Sequence, residues 1–99
     1  MAKFGVYRLR DGNGYLLDCQ ADLLRDLNTR FVVPLLPVDT APKPAARLNP
    51  IFEIQGEQYM MVTQFAATVP SSELRTLVMS LSEQGITIGN ALDMLISGY

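Results

Sequence analysis

Apolar and polar positions alternate with a period of two from Lys3 to Leu9, setting Phe4 and Val6 on one side and Gly5, Tyr7 and Leu9 on the other. That is the pattern of a strand. Asp11-Gly12-Asn13-Gly14 follows, residue types that tolerate the positive φ of a hairpin turn, and Tyr15 to Gln20 resumes an apolar run. The first two strands are therefore predicted to be antiparallel neighbours. Ala21 to Arg30 mixes four charged residues with Leu23, Leu24 and Leu27 and closes on Asn28-Thr29, which fits a short helical turn or an ordered loop. Arg30 to Leu36 holds aromatic and β-branched residues, Phe31, Val32 and Val33, in a continuous apolar run, as for a strand buried on both faces. Pro34 has no N–H to give a ladder, so an edge, an end or a bulge is expected there.

Pro37 to Pro44 reads as a loop inside one domain, because its prolines fix φ and remove donors. Pro50 to Gln55 alternates Ile51 and Glu53 against Phe52 and Ile54, Gly56-Glu57 turns the chain, and Gln58 to Gln64 completes a second hairpin. From Ser71 the period changes. Leu74, Leu77, Val78 and Leu81 fall at helical spacing, although Thr76 to Met79 also reads as a short strand, and periodicity alone does not decide between them. A terminal helix is predicted from Ser82, with Ile88, Leu92 and Leu95 on one face and Ala91 and Met94 beside it. Five or more short strands with one terminal helix predict a mainly β domain, α+β by a stricter count. The expected form is a small twisted sheet closed into a barrel or half-barrel.

Composition narrows the chemistry. A chain of 99 residues is one domain, 1–99, and its 48% hydrophobic content with 18% charged residues excludes a disordered segment. A net charge of −2 offers no broad cationic surface, so no direct contact with nucleic acid is expected. No apolar run is long enough to span a membrane, and the N-terminus lacks the apolar core of a signal peptide, which predicts a cytoplasmic protein with no membrane contact. With no histidine and one cysteine, the chain has no zinc site, no Ser-His or Cys-His nucleophile pair and no internal disulfide. No catalytic residue, metal or cofactor is assigned. Cys19 reads as a small core residue, the scattered carboxylates as solvated surface, and Met60-Met61 as packing, one side chain to each face of a strand. The apolar and aromatic end Leu95-Ile96-Ser97-Gly98-Tyr99 either packs into its own domain or a twofold mate, or is offered to another protein.

Seven stretches carry a resemblance over almost the whole length. They are Phe4-Gly-Val-Tyr7, Asp18-Cys-Gln-Ala-Asp-Leu-Leu24, Arg30-Phe-Val-Val-Pro-Leu35, Leu48-Asn-Pro-Ile-Phe52, Tyr59-Met-Met-Val-Thr63, Val69-Pro70 and Asn90-Ala-Leu-Asp-Met-Leu95. In this order and spacing the chain resembles the CcdB toxins of bacterial toxin–antitoxin modules. The resemblance implies an SH3-like barrel of five to six antiparallel strands, shared with the MazF and Kid toxins, with a C-terminal helix near Ser82 to Ile96 and a homodimer as the assembled form. It also implies a strand over Leu74 to Leu81.

The plasmid-type members trap DNA gyrase through its A subunit, with no catalytic reaction of their own, and are neutralised by a CcdA antitoxin whose disordered tail folds on the toxin. By position their gyrase contacts fall here on Leu23, Leu24, Asp93, Ile96, Ser97, Gly98 and Tyr99. Leucines stand for isoleucines, Asp93 for an asparagine, Ile96 for a phenylalanine and Ser97 for the tryptophan of the family's terminus. Antitoxin contacts are expected in two loops, on Arg10, Asp11, Asn13 and Tyr15 in the first and on Lys43 and Arg47 in the second. Two alternatives stand beside this reading. One is a ribosome-independent RNA-cleaving toxin on the same barrel, which needs arginines such as Arg8, Arg10 or Arg30 to converge on a groove. The other is a non-toxic member keeping only dimerisation and antitoxin binding.

Overall fold

The computed structural model describes residues 3–10 and 12–98. Seven strands form one antiparallel sheet: β1 (Gly5–Arg8), β2 (Tyr15–Asp18), β3 (Thr29–Pro37), β4 (Ile51–Ile54), β5 (Glu57–Met61), β6 (Ala67–Pro70) and β7 (Leu77–Ser80). A single α-helix, α1 (Gly85–Ser97), closes the described chain. The sheet runs β4-β5-β3-β2-β1-β7, with β6 added to β3 off that path. It curls into a half-barrel whose outer strands, β4 and β7, line opposite sides of one hollow of about 360 Å³.

Both faces of the central strands are covered, each by a different set of residues. Val6, Leu17, Val33 and Leu35 point into the main core with Phe52, Ile54, Met61, Ile88 and Ala91. Their alternates Tyr7, Leu16 and Val32 meet Leu74 and Val69 on the other face. This two-sided burial explains why β3 lacks a polar face. Met60 and Met61 are both buried, at 1% and 0% exposure, so the side chain expected to face outward is covered as well.

Pro34 is tolerated inside this central strand for a specific reason. Along one edge β3 pairs with β6 from Thr29 to Val32 and with β5 from Leu35 to Pro37. Pro34 sits where the partner changes, its carbonyl accepting from the Val62 N–H at 3.0 Å, and the missing donor faces the gap. The turn between β4 and β5 is Gln55-Gly56, one residue earlier than expected, with φ of +52° and +85° as a two-residue hairpin of the primed type requires.

The Leu74 to Leu81 stretch contains a strand, and β6 before it carries no alternation that marks it in the sequence. Val6 pairs with Met79 and Tyr7 with Leu77, so Val78 is the extra residue of a bulge. The bulge turns Val78 and Met79, chain neighbours, both toward the main core. A 3-10 turn (Ser82–Gln84) then leads into α1 at Gly85. Phe4 lies against that start: a Cβ on Gly85 would stand 3.2 Å from its ring. The helix buries Ile88 and Ala91 and ends at Gly98, whose φ of +79° and N–H bond to the Met94 carbonyl form a left-handed cap.

Among the carboxylates expected on the surface, Asp18 is fully buried. Its Oδ2 accepts from Arg30 Nε at 3.0 Å and Nη2 at 2.5 Å, and Arg30 is itself 1% exposed. Strand pairing of Asp18 with Val32 places both charged groups on the Tyr7 face of the sheet, where each is desolvated and needs the other.

Candidate functional site

The first gyrase-aligned pair stands on a 3-10 turn, Asp22–Leu24, which buries none of its residues. The ion pair of Asp18 and Arg30 lies at its base, and Gln20 connects the two. The Gln20 N–H donates to Asp18 Oδ1, its Nε2 donates to the carbonyls of Leu24 and Thr29, and its Oε1 accepts from the Phe31 N–H. Asp22 Oδ1 accepts from the Lys3 N–H at 2.7 Å. The backbone is thus fixed from below while its apolar side chains remain in water, Leu23 at 91% and Leu24 at 47% exposure.

The second group occupies the last turn of α1. Asp93, Ile96 and Ser97 follow i, i+3, i+4 spacing and share one face, and all three are exposed, as is Gly98. Ile96 is 76% exposed, so this tip does not pack into its own domain. Tyr99 lies outside the described residues. The two groups are held by different supports. The leucine turn is tied to Lys3, next to Phe4 and the start of α1, whereas Asp93 to Gly98 lie at the far end of a 13-residue helix roughly 20 Å long.

The antitoxin-aligned loops leave the same end of the sheet. Tyr15 at the start of β2 pairs with Leu35 near the end of β3, and the hairpin tip presses on that end: a Cβ on Gly14 would lie 2.5 Å from the Leu35 carbonyl oxygen. Asn13, Lys43 and Arg47 are exposed. Tyr15 departs from the expectation. It is 5% exposed and part of the main core, its ring edge-on to Tyr59 at 4.9 Å and its hydroxyl donating to Gln55 Oε1 at 3.4 Å. As the first residue of β2 it faces inward with Leu17. Asp11 lies outside the described residues. The second loop is clamped where it rejoins the sheet: Asn49 Nδ2 donates to the Met61 carbonyl and to Gln64 Oε1, Asn49 Oδ1 accepts from the Ala45 N–H, and the Thr63 hydroxyl donates to the Leu48 carbonyl.

Arg10 reaches across the chain to Glu73, with Nη2 3.0 Å from Oε2. The two residues border adjoining hollows of about 340 and 430 Å³ that share Leu9, Arg10 and Glu73. Leu16 and Val69 extend the first, Arg75 and Thr76 the second. Glu73 was not singled out from the sequence, and Val69 only within the resemblance, because nothing in their spacing shows that the segment after β6 crosses the outer face of β1 and β2. Leu74, buried on Tyr7 and Val32, is the one apolar sign of that crossing.

Ionisation adds nothing reactive. Burial first and the Asp18 charge second, with Lys3 opposing them, push the Cys19 thiol up to about 12, so the sulfur stays protonated as a core residue. Burial raises Tyr7 as well, with Asp18 adding to the effect and Arg30 opposing it. Among the described residues no three His, Cys, Asp or Glu side chains cluster as a metal site, and no helix is long and apolar enough to cross a membrane.

The family model described as CcdB protein matches residues 3–98, a span that takes in the seven strands and the helix. With that match across the 99-residue sequence, the chain belongs to the CcdB family.

Proposed function

We propose that this CcdB-family toxin acts as a homodimer on the A subunit of DNA gyrase, by protein contact, and is neutralised by a CcdA-like antitoxin. The observation that carries this reading is the exposure of apolar side chains at the two aligned elements, Leu23 at 91% and Ile96 at 76%, on a domain that otherwise buries its core on both faces of the sheet. Exposed apolar side chains are ordinary, and Leu77 and Ile86 are exposed as well; Leu23 and Ile96 are set apart by standing on ordered supports at the aligned positions, which suits a partner surface. Their separation within one protomer is bridged when a second copy sets its helix tip beside the first copy's turn, which gives the homodimer a functional reason. The poison needs no reaction of its own: complementarity to the gyrase–DNA state is enough. Serine in place of the family's tryptophan removes a large aromatic anchor, lowering affinity by roughly 30- to 1000-fold unless Tyr99 supplies the ring.

The test is a supercoiling and cleavage-trapping assay on gyrase, with the native chain beside Ser97→Trp/Tyr99→Ile. Trapped linear DNA with the native chain is the expected result. Activity only in the double variant would instead indicate a non-toxic member, and silence from both would remove gyrase as the target. The RNA-cleaving alternative loses Arg30, which is spent on Asp18 inside the domain.

A further inference from the structure

The turn that carries Leu23 and Leu24 lies within a stretch, residues 21–28, in which every residue is exposed. Burial of apolar surface therefore does not fix its pose, although Leu23, Leu24 and Leu27 all stand in it. Bonds inside the stretch run from the Leu24, Arg25 and Leu27 N–H groups to the carbonyls of Ala21, Asp22 and Leu24; they shape the turns without anchoring them. Among the described residues, three hydrogen bonds join the stretch to the rest of the chain. The Lys3 N–H donates to Asp22 Oδ1, the Ser71 N–H to the Asn28 carbonyl, and Gln20 Nε2 to the Leu24 carbonyl. Of these, the bond from Gln20 is the one that reaches a leucine.

The amide of Gln20 is buried and fully committed. Its Nε2 donates to the Leu24 and Thr29 carbonyls, each at 3.1 Å, so one group ties the middle of the stretch to the start of β3. Its Oε1 accepts from the Phe31 N–H at 3.0 Å, which fixes the way the amide faces. The Gln20 backbone N–H is held in turn by Asp18 Oδ1, and Asp18 by Arg30. We propose that Gln20 is a positioning residue for the gyrase contact: its amide holds the leucine turn in one docking pose, so that the partner does not have to order it. This rests on the reading that Leu23 and Leu24 face gyrase. Because residues 21–28 belong to neither core cluster, the stretch can loosen while both cores stay packed, and docking separates from folding.

The test compares the native chain with Gln20→Glu and Gln20→Met, each labelled with nitrogen-15 and measured well below its own thermal midpoint. Ionised glutamate keeps an acceptor for the Phe31 N–H but has no donor for the two carbonyls, and methionine has neither. The first variant guards against loss of the β3 bond, the second against a new charge beside Asp18. Backbone order parameters at Asp22 to Arg25 are expected at about 0.85 in the native chain and below about 0.6 in both variants, with the strands unchanged. Affinity for the isolated gyrase A subunit should fall about tenfold in both. A Gln20 that served the fold alone would lower the thermal midpoint and leave the order of the turn and the affinity of the folded chain as they are, a result that overturns the proposal. Native order and affinity in Gln20→Glu would overturn it as well, since the whole effect would then lie in the Phe31 bond. The two readings fail differently. A native chain that does not bind the A subunit removes the gyrase target and the docking role with it, whereas native binding undiminished in the variants removes the role of Gln20 alone.

Discussion

At the scale of single residues, several positions are set by physics that the chain can be made to reveal. Gly14 combines a φ of +152° with a site where a Cβ would meet the Leu35 carbonyl oxygen at 2.5 Å. Gly14→Ala is therefore expected to destabilise the fold by about 2–3 kcal/mol, whereas Gly12→Ala, with nothing within 4 Å of its Cβ but a φ of +78°, should cost about 1 kcal/mol. Urea denaturation midpoints would separate them. Asp18→Asn strands the Arg30 charge at 1% exposure and should cost about 3–5 kcal/mol. The double change Asp18→Leu/Arg30→Met should cost less than either single change, which a double-mutant cycle measures. Cys19 and Tyr7 both have raised pKa values in the folded state. The unfolded chain then releases these protons first, so their contribution is intact below about pH 9 and is lost as pH rises toward 12. Denaturation at pH 8 and pH 10 should show the fall, and Cys19→Ala should flatten it.

At the scale of elements, the stretch from Leu74 to Leu81 shows what periodicity conveys and what it hides. Its helical spacing arises because Leu74 serves the outer cluster while Val78 and Leu81 serve the inner one, with a bulge between them. A period computed over that window mixes two cores. The first hairpin, the β4–β5 hairpin and α1 were legible because each buries residues at one regular period. β6 was not, since it lies off the main path and buries none of its four residues. The helix tip was legible as an apolar chain end with two possible fates, the leucine turn only through the resemblance, and the groove behind Arg10 not at all, because its walls come from β1, β2, β6 and the segment after it. The helix tip also gives a prediction at this scale. Ile96→Glu alters a side chain 76% exposed, so it should abolish gyrase trapping while moving the thermal midpoint by no more than about 2 °C.

For the whole molecule, the order of the sheet sets where it opens. β3 is paired along both edges and carries Val32, Val33 and Leu35 at 1% exposure or less, whereas β6 has one partner and no buried residue. Hydrogen exchange should accordingly be slowest for amides of β3 and fastest, among strands, for β6 and the outer strand β4. The position of β7 has a consequence of another kind. β1 receives its second partner only from residues 77–80, so during synthesis one edge of the first strand has no native neighbour until four-fifths of the chain exists. At elongation rates of about 5–20 residues per second that interval is about 4 to 14 s, and throughout it the nascent chain carries an unmatched strand edge that any other extended chain is able to meet first.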